Sequence, residues 1–330
     1  MTFLDTKLTE DGCDPELLLV IKSLVTGCKK ISNILSSGDF SHVAKSDEVN
    51  VQGEIQTTLD IVSNDILKEV LSKLTVVKSI ASEEDEHILS VNENGKYLVS
   101  FDPLDGSSNI DINGLVGTIF SVTSSTEWLF SFDDKQFQRP GGLIHAAGFV
   151  LYGPATTLVL STGVGTNIFV LSREFGEFTL WRKSIAIPPD TNEFSANVGR
   201  QRRWPGYAKK YVDQLSQGRN GVRRKDYSFR YFGSLVGDIY RILCRGGVFL
   251  YPQEGARKSR YGNGKLRLLY EIIPMAYIVE QANGAAYADD KRVLDILPTS
   301  VHQRVPIIIG SRNEVDRYLS KAKVGLRNAE

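Results

Sequence analysis

The sequence predicts a mixed α/β protein, and three observations lead to this prediction. Apolar residues recur at helical spacing between Asp14 and Leu35 and again between Ile55 and Leu74. Short apolar runs separated by glycine fill residues 117–181, as expected of a large mixed sheet. Pro188-Pro189-Asp190 then interrupts the pattern as a linker candidate. We therefore expect two domains, residues 1–186 and 187–330.

Composition is that of a soluble globular protein and offers no case for nucleic acid or membrane as a partner. The chain has 330 residues, 42% hydrophobic and 24% charged, and its positive and negative charges balance. Three cysteines without CxxC or metal spacing fit a reducing compartment. The polar, acidic start is unlike a signal peptide, so we expect a cytoplasmic protein. A plastid location, with a presequence already removed, is the alternative.

Two amphipathic helices are expected near the start of the chain. Asp14-Pro15-Glu16 is a helix start, with a capping Asp, a Pro at the first helical position and an acid near the positive end of the dipole. The second helix is expected from Ile55 to Leu74 and carries Asp60 beside its apolar stripe. The polar residues 41–52 between them predict a mobile loop.

Further elements follow from the apolar runs. Strands are expected at Val76–Ile80, Tyr97–Phe101, Gly117–Thr123, Leu143–Phe149, Thr156–Leu160, Asn167–Leu171, Phe178–Trp181, Gly246–Pro252 and Val305–Gly310. Helices are expected at Tyr207–Leu215, Phe232–Leu243 and Lys265–Gln281.

The stretch SFDPLDGSSN at residues 100–109 carries the clearest chemical signal. A buried strand delivers Asp102 and Asp105 at its end. Carboxylates three residues apart around a Pro-Leu turn place hard oxygen ligands side by side, as Mg²⁺ chemistry on phosphates requires. The backbone N–H groups of the following Gly106-Ser107-Ser108 can point at an anion. The alternative is an ordinary acidic turn, because Asp, Pro and Gly are common turn residues.

A second acidic stretch, SEEDE at residues 82–86, directly follows a predicted strand. Such a run is normally a solvated loop. We expect one hairpin-like connection between this strand and the next, which makes Glu83 and Glu84 neighbours of Asp102 and Asp105. Four converging carboxylates would repel one another strongly unless cations lay between them, so we favour a metal cluster.

Other candidate residues keep two interpretations each. Asp60 is either on the solvated flank of its helix or a functional acid. Glu271 lies among apolar residues, and its partner is either a metal or a salt bridge. The basic runs at residues 200–203 and 223–225 are either solvated faces or a phosphate pocket.

Together these motifs resemble those of the class I fructose-1,6-bisphosphatases and their sister family, the sedoheptulose-1,7-bisphosphatases. The resemblance runs from about Asp14 to the end and rests on SEEDE, FDPLDGSSNID, GTIF, RYFGSLVGD, GGVFLYP, GKLRLLYE and HQRVPIIIGS. The wider superfamily, which includes inositol monophosphatases, shares only the E-E and D-P-x-D-G core. The resemblance implies a layered αβαβα sandwich of two mixed sheets in two lobes. It also implies hydrolysis of the 1-phosphate of a ketose bisphosphate.

The resemblance implies roles for individual acids as well. The ligands of Mg²⁺, for which Mn²⁺ is an alternative, are Glu83, Glu84, Asp102, Asp105, Glu271 and the carbonyl of Leu104. Asp60 and Glu84 correspond to the pair that activates the attacking water. Glu54 assists them from a dynamic loop at residues 41–57, in which Asn50 lies on the metal side.

Contacts to the substrate are implied in the same way. The cradle of the 1-phosphate corresponds to Gly106, Ser107, Ser108 and Arg267, and Asp105 also contacts the substrate. Contacts to the sugar and the distal phosphate correspond to Asn197, Tyr231, Tyr251 and Lys265. Arg230 matches an arginine that the family lends across a subunit interface, which implies a homodimer or homotetramer.

Two departures from the family bear on which sugar is used. Arg200 stands where fructose bisphosphatases usually have a tyrosine and sedoheptulose bisphosphatases an arginine, and Leu235 replaces a methionine that borders the sugar. RYFGSL, FLYP and LRLLYEIIPMAY are closer to the fructose enzymes. We expect sedoheptulose 1,7-bisphosphate as substrate, with fructose 1,6-bisphosphate also accepted.

The alternatives to that substrate prediction are a strict fructose-1,6-bisphosphatase, with Arg200 on the surface, and a catalytically silent member that senses metabolites. The segments that form the AMP site of the family are not matched here, so weak or no AMP inhibition is expected. The cysteine-bearing insertion of the light-regulated plastid enzymes is also absent from the sequence, so thioredoxin control is not expected.

Overall fold

Helices and strands alternate along the chain. The structure, a computed structural model, describes residues 1–37, 45–49, 55–125, 133–255 and 264–327, without the side chains of 45–49, 55–56 and 323–327. The α-helices in these ranges are α1 (Leu4–Glu10), α2 (Pro15–Ser36), α3 (Thr58–Ser72), α4 (Gly206–Ser216), α5 (Leu235–Arg245), α6 (Ile273–Gln281) and α7 (Arg312–Arg327). The strands are β1 (Lys45–Val49), β2 (Ile55–Thr57), β3 (Val77–Ser82), β4 (Leu89–Ser90), β5 (Tyr97–Asp105), β6 (Val116–Ser124), β7 (Ile144–Tyr152), β8 (Thr156–Ser161), β9 (Thr166–Ser172), β10 (Glu177–Ile185), β11 (Glu193–Ala196), β12 (Ser228–Phe229), β13 (Val248–Tyr251), β14 (Leu266–Arg267), β15 (Ala285–Ala288), β16 (Lys291–Arg292), β17 (Arg304–Val305) and β18 (Ile307–Gly310).

Two large mixed sheets organise the fold. The first has eight strands in the order β10-β9-β8-β7-β6-β5-β3-β4, and the second has six in the order β12-β11-β13-β18-β15-β16. In the first sheet β3 and β5 are parallel, whereas β5 to β10 form a run of antiparallel neighbours. In the second, β11 is parallel to both of its neighbours, β12 and β13. The proposed domain boundary near residue 186 falls between these two sheets in the sequence and stays a prediction.

Helices cover both sheets and separate them. Side chains alternate between the two faces of the eight-stranded sheet, as the pleat requires. Phe120 and Val150 pack with α1, α2 and α3, whereas Ile119 and Phe149 pack with α5, α6 and the second sheet. Residues of α4 and α7 pack on the other face of the six-stranded sheet. The order helix, sheet, helix, sheet, helix confirms the expected αβαβα sandwich.

The N-terminal helices begin where their caps place them. The Asp14 side chain accepts hydrogen bonds from the N–H groups of Glu16 and Leu17, at 2.8 and 3.2 Å, which confirms the expected start of α2. The expected helix from Ile55 begins only at Thr58, because Thr57 is its N-cap and residues 55–57 form β2. β2 pairs with β1, so part of the expected loop at residues 41–52 is a strand.

Three expected elements in the second half have different bounds. α5 begins at Leu235 instead of Phe232, because the Ser234 hydroxyl caps it by accepting from the N–H of Gly237. The expected single helix from Lys265 to Gln281 is instead β14, a π-helical turn at Leu268–Ile272 and then α6. The expected last strand is split into β17 and β18 by Pro306, which has no N–H to donate.

The parallel pairing of β3 and β5 positions the acidic stretches. A hairpin would have run these two strands in opposite directions, so the expected hairpin-like connection is wrong. Ser82 pairs with Phe101 near the carboxyl ends of both strands, with β4 in the connection. The carboxyl ends of parallel strands meet at one edge of a sheet, so the two acidic stretches still converge there.

No described helix is both long enough and apolar enough to cross a membrane.

Candidate active site

One cavity collects most of the residues that the sequence singled out. Its lining comes from α3, the ends of β3 and β5, the start of α5, β13, β14 and the π-helical turn. The lining residues are Asp60, Glu83, Glu84, Asp102, Leu104, Asp105, Gly106, Ser107, Ser108, Tyr231, Gly233, Ser234, Leu235, Asp238, Phe249, Tyr251, Lys265, Leu266, Arg267 and Glu271. Three predicted residues, Asn197, Arg200 and Arg230, are not among them. Glu54 and Asn50 lie outside the described residues.

Buried carboxylates form one wall of this cavity. Single oxygen atoms of Asp102, Asp105 and Glu271 all lie within 4.8 Å of one another, and each of the three side chains is buried. Glu83 lies within hydrogen-bonding reach of Asp102. Its Oε1 accepts a hydrogen bond from the Arg267 guanidinium, while its buried Oε2 has no hydrogen-bond partner among the described residues.

This donor set fits a divalent metal ion. Several carboxylates within contact distance, one with an unsatisfied buried oxygen, are the ligands that hard cations such as Mg²⁺ take. Without a cation, burial and mutual repulsion disfavour the ionised forms. Burial, followed by the charges of Glu83, Asp105 and Glu271, raises the pKa of Asp102 well above its ordinary value.

The pKa values of Asp105 and Glu271 are also raised by burial, although neighbouring groups partly counteract the increase. Burial raises the pKa of Asp105 to about 6, although hydrogen bonds from Val236 and Ser234 act in the other direction. Burial and the charge of Glu83 raise the pKa of Glu271 to about 8, against the influence of Arg267. The carboxylate cluster is therefore only partly ionised near neutral pH unless a cation is bound.

Glu271 had two predicted partners, a metal or a salt bridge. It lies in the π-helical turn, where its Oε2 accepts a hydrogen bond from the backbone N–H of Arg267. The Arg267 guanidinium pairs with Glu83 instead. The structure thus places Glu271 in the carboxylate cluster, which favours the metal interpretation.

The turn after β5 meets the N-terminus of α5. Oδ2 of Asp105 accepts hydrogen bonds from the Val236 N–H at 2.8 Å and the Ser234 hydroxyl at 3.1 Å. Gly106 has a φ of 77°, and a Cβ there would lie 2.6 Å from the Cβ of Ser234. Only glycine allows this close approach of the turn to the helix end. The contact places the positive end of α5 beside the acidic cluster.

Asp60 is a buried residue with two sets of contacts. Its Oδ2 accepts hydrogen bonds from the N–H and the hydroxyl of Thr57, at 2.7 and 2.9 Å, in a capping box. The Ser107 side chain also hydrogen-bonds to it, and burial raises its pKa to about 6. Asp60 is therefore not on a solvated flank. Glu84 lies half-buried in the same cavity, and the pairing of the two as water-activating acids stays a prediction.

The far end of the cavity is less acidic. Lys265 lies with its Nζ 5.8 Å from the ring centre of Tyr251, and both residues line the cavity. Asn197 is hydrogen-bonded to the Tyr231 side chain, which places it one residue behind the lining. Arg230 lies outside the lining with its side chain exposed, and it donates to the carbonyl of Phe229 at 3.1 Å.

Arg200 is engaged in an ion pair away from the cavity lining. Its guanidinium binds Glu254 through two nitrogens, one of them Nη2 at 2.7 Å from Oε2. Arg203 approaches the same carboxylate at 3.4 Å. These arginines hold the pKa of Glu254 below its ordinary value. The geometry supports the surface interpretation of the basic run at residues 200–203.

Asp238 is a cavity residue that the sequence analysis missed. It is 1% exposed, and its Oδ1 accepts a hydrogen bond from the Ser195 hydroxyl at 2.5 Å. The N–H of Phe232 lies 3.4 Å from both carboxylate oxygens, and burial raises the pKa of Asp238 to about 7. An acid on the apolar face of α5 was the signal that could have identified it, as it did for Glu271.

We predict that the metal-free protein loses stability as the pH rises from about 4 to about 8. The raised pKa values of Asp105, Asp238 and Glu271 mean that the folded state binds more protons than the unfolded state in this range. Deprotonation therefore favours unfolding. Melting temperatures measured in EDTA across this range should fall, and added Mg²⁺ should raise them more at pH 8 than at pH 5. A pH-independent difference between Mg²⁺ and EDTA would contradict the prediction.

Comparison with known proteins identifies the family of this chain. The family described as Fructose-1-6-bisphosphatase, N-terminal domain, matches residues 3–183, and its C-terminal domain matches residues 187–323. The class 1 fructose-1,6-bisphosphatase of Pseudoalteromonas atlantica is 48% identical over 98% of this chain and 100% of its own length. That of Hydrogenovibrio crunogenus is 43% identical over 97% of this chain and 99% of its own.

Solved structures lead to the same family. The holo form of Leishmania major fructose-1,6-bisphosphatase has a TM-score of 0.89 and 36% identity, covering 98% of this chain and 99% of that one. The similarity in both sequence and fold extends over nearly the whole length of the chain. The chain therefore belongs to the class 1 fructose-1,6-bisphosphatase family of metal-dependent sugar bisphosphatases.

Proposed function

We propose that this chain hydrolyses the 1-phosphate of fructose 1,6-bisphosphate with Mg²⁺ as its metal. The observation that carries the proposal is the convergence, in one cavity, of buried carboxylates with Arg267, Lys265 and the Gly106-Ser107-Ser108 turn. Acids that suit a cation and groups that suit phosphate oxygens thus face the same space. The relatives are themselves named for the same substrate.

The expected preference for sedoheptulose 1,7-bisphosphate has weaker support than its alternative. It rested on Arg200 as a partner of the distal phosphate. Arg200 is paired with Glu254 and does not line the cavity, and the relatives are named for the fructose substrate. Leu235, the second departure, does line the cavity and remains a modest change of shape beside the sugar.

Charge and positioning account for the proposed reaction. Glu83, Asp102, Asp105 and Glu271, with Glu84 and Leu104 beside them, would hold the ion, which supplies Lewis-acid stabilisation of the phosphate charge when bound. Arg267 and the N–H groups of the Gly106-Ser107-Ser108 turn bind the phosphate oxygens. Asp60 and Glu84 orient the attacking water, and Asp60 accepts its proton. The roles of the individual side chains rest on the family resemblance together with their shared cavity.

We predict that Asp60→Asn lowers kcat by about 10²–10⁴-fold, the range expected for loss of a general base. Because the pKa of Asp60 is about 6, the wild-type rate should rise with pH through that value, and the variant should lose this rise. Asparagine retains an acceptor for Thr57 and should preserve the capping box. Asp65→Asn, at a 69% exposed position of the same helix, is the matched control and should keep wild-type kcat. An unchanged pH profile in Asp60→Asn would remove Asp60 from the proposed role.

We predict that kcat/KM is higher for fructose 1,6-bisphosphate than for sedoheptulose 1,7-bisphosphate, and that Arg200→Tyr changes the ratio less than about 3-fold. Arg200 is held by Glu254 and does not line the cavity, so its replacement should have little effect on substrate binding there. Phosphate release with each substrate in Mg²⁺ measures the ratio. If the wild type prefers the heptulose and the variant moves toward the hexose, Arg200 determines specificity and the proposed substrate is wrong.

We propose further that Arg230 completes the site of a second subunit, so that the working enzyme is a dimer or tetramer. The proposal rests on the family resemblance and on the exposure of the Arg230 side chain outside its own cavity. The cytoplasmic location remains a prediction alongside it.

Mixing two inactive variants tests this sharing. Arg230→Ala and Asp102→Asn should each be nearly inactive, and dissociation and reassembly of an equal mixture should restore about a quarter of the wild-type rate in a dimer, because half of the dimers are hybrids with one complete site. Arg230→Ala taken through the same dissociation and reassembly by itself should recover no activity. Absence of recovery in hybrids confirmed by native mass spectrometry would show that Arg230 acts within its own subunit.

A further inference from the structure

We infer that Asn64 is a positioning residue that holds the metal-binding stretch Glu83–Glu84 against the helix that carries Asp60. The inference rests on the proposed function, since it assigns Asn64 a task in that same site. Asn64 is 5% exposed and lies one helical turn after Asp60 on α3, so both side chains lie on the same face of the helix.

The Asn64 amide bridges the two ends of the acidic stretch. Its Nδ2 donates a hydrogen bond to Oδ1 of Asp85 at 3.0 Å, and its Oδ1 accepts one from the Ser82 hydroxyl at 2.7 Å. A carboxylate only accepts hydrogen bonds, so the contact with Asp85 determines which way the amide faces. Glu83 and Glu84 lie in the sequence between Ser82 and Asp85, the two residues that Asn64 binds.

The bridge continues into the backbone of the ligand residues. The Ser82 hydroxyl, while donating to Asn64, accepts a hydrogen bond from the N–H of Glu84 at 3.3 Å. The N–H of Glu83 donates to the carbonyl of Phe101 on β5 at 3.1 Å. The turn is thus held by strand β5 on one side and by α3, through Asn64, on the other.

Lys68 completes the arrangement one turn further along the helix. Its Nζ lies 3.0 Å from Oδ1 of Asp85, the oxygen that also accepts from Asn64. Asp60, Asn64 and Lys68 therefore form a single row at spacings of four residues. The proton acceptor and the metal ligands are connected through this row, so that their separation is set before substrate arrives. Such partners of metal ligands typically change metal affinity by 10–100-fold when removed.

Reversal of the hydrogen-bond polarity provides the test. In Asn64→Asp two carboxylates face each other, and the turn should be pushed away from α3. The double variant Asn64→Asp/Asp85→Asn restores the bond in the opposite direction, because the new carboxylate accepts from both Ser82 and the new amide. It also keeps the net charge. Lys68 then pairs with the new carboxylate one helical turn before it, because the new amide nitrogen is a donor and cannot accept from the ammonium.

Direct Mn²⁺ binding by isothermal titration calorimetry is the primary measurement. We expect the dissociation constant to rise 10–100-fold in Asn64→Asp and to return within about 3-fold of wild type in the double variant. Glu69→Gln, at an exposed position of α3 where the carboxylate pairs with Lys73, should bind Mn²⁺ as the wild type does. Failure of the double variant to recover, or wild-type binding by Asn64→Asp, would overturn the inference.

A second variant serves if Asn64→Asp does not fold. Ser82→Ala removes the hydroxyl that connects Asn64 to Glu84, and we expect weaker Mn²⁺ binding with a folded circular dichroism spectrum. Wild-type binding by folded Ser82→Ala would also overturn the inference. Turnover of fructose 1,6-bisphosphate by the wild type tests the proposed function separately. If that turnover is absent while the double variant Asn64→Asp/Asp85→Asn restores Mn²⁺ binding, the positioning role of Asn64 is supported and the proposed function is wrong.

Discussion

Repulsion among buried carboxylates at the ends of two parallel strands is the constraint on which the rest of the site depends. β3 and β5 run in the same direction, so their acidic carboxyl ends share one edge of the eight-stranded sheet. Such a cluster is unfavourable in a low-dielectric interior unless positive charge balances it. The fold supplies part of this balance itself, through Arg267 beside Glu83 and the N-terminus of α5 beside Asp105. Oε2 of Glu83, which has no hydrogen-bond partner in the described part of the chain, is the oxygen still available to a cation.

The central helical layer explains how these positive groups reach the acids. α5 lies between the two sheets, and its first turn is capped against the loop that follows β5. The segment that leads into α6 does not continue as a regular helix but widens into a π-helical turn that presents Glu271 to the cluster. Irregular helical turns of this kind occur often at functional sites. Both halves of the chain therefore contribute to a single cavity.

Local signals in the sequence predicted individual site residues better than strand directions and long-range side-chain contacts. Caps, apolar runs and acidic stretches have short-range causes, so Asp14, the β5 acids and Glu271 could be singled out from the residues themselves. The candidates at the far end of the cavity, Tyr231, Tyr251 and Lys265, followed only from the family resemblance. The relative direction of two strands depends on the path of the connection between them, which local patterns do not determine. The parallel pairing of β3 and β5 was therefore not predicted. Arg200 kept two interpretations for a similar reason, since its ion-pair partner Glu254 lies 54 residues away in the sequence. Asn64 gave no signal because its role depends on neighbours that only the fold brings together.

The central layer has a consequence for how the protein is made. The eight-stranded sheet is complete once Ile185 has been synthesised, but the helices that cover its inner face begin at Leu235 and end at Gln281. At ribosomal speeds of about 5–20 residues per second, this apolar face stays bare for several seconds on every nascent chain. Ile119, Phe149 and Ile168 are then open to other nascent chains and to chaperones. The architecture that shelters the active site in the finished enzyme thus leaves the inner face of its first half uncovered during synthesis.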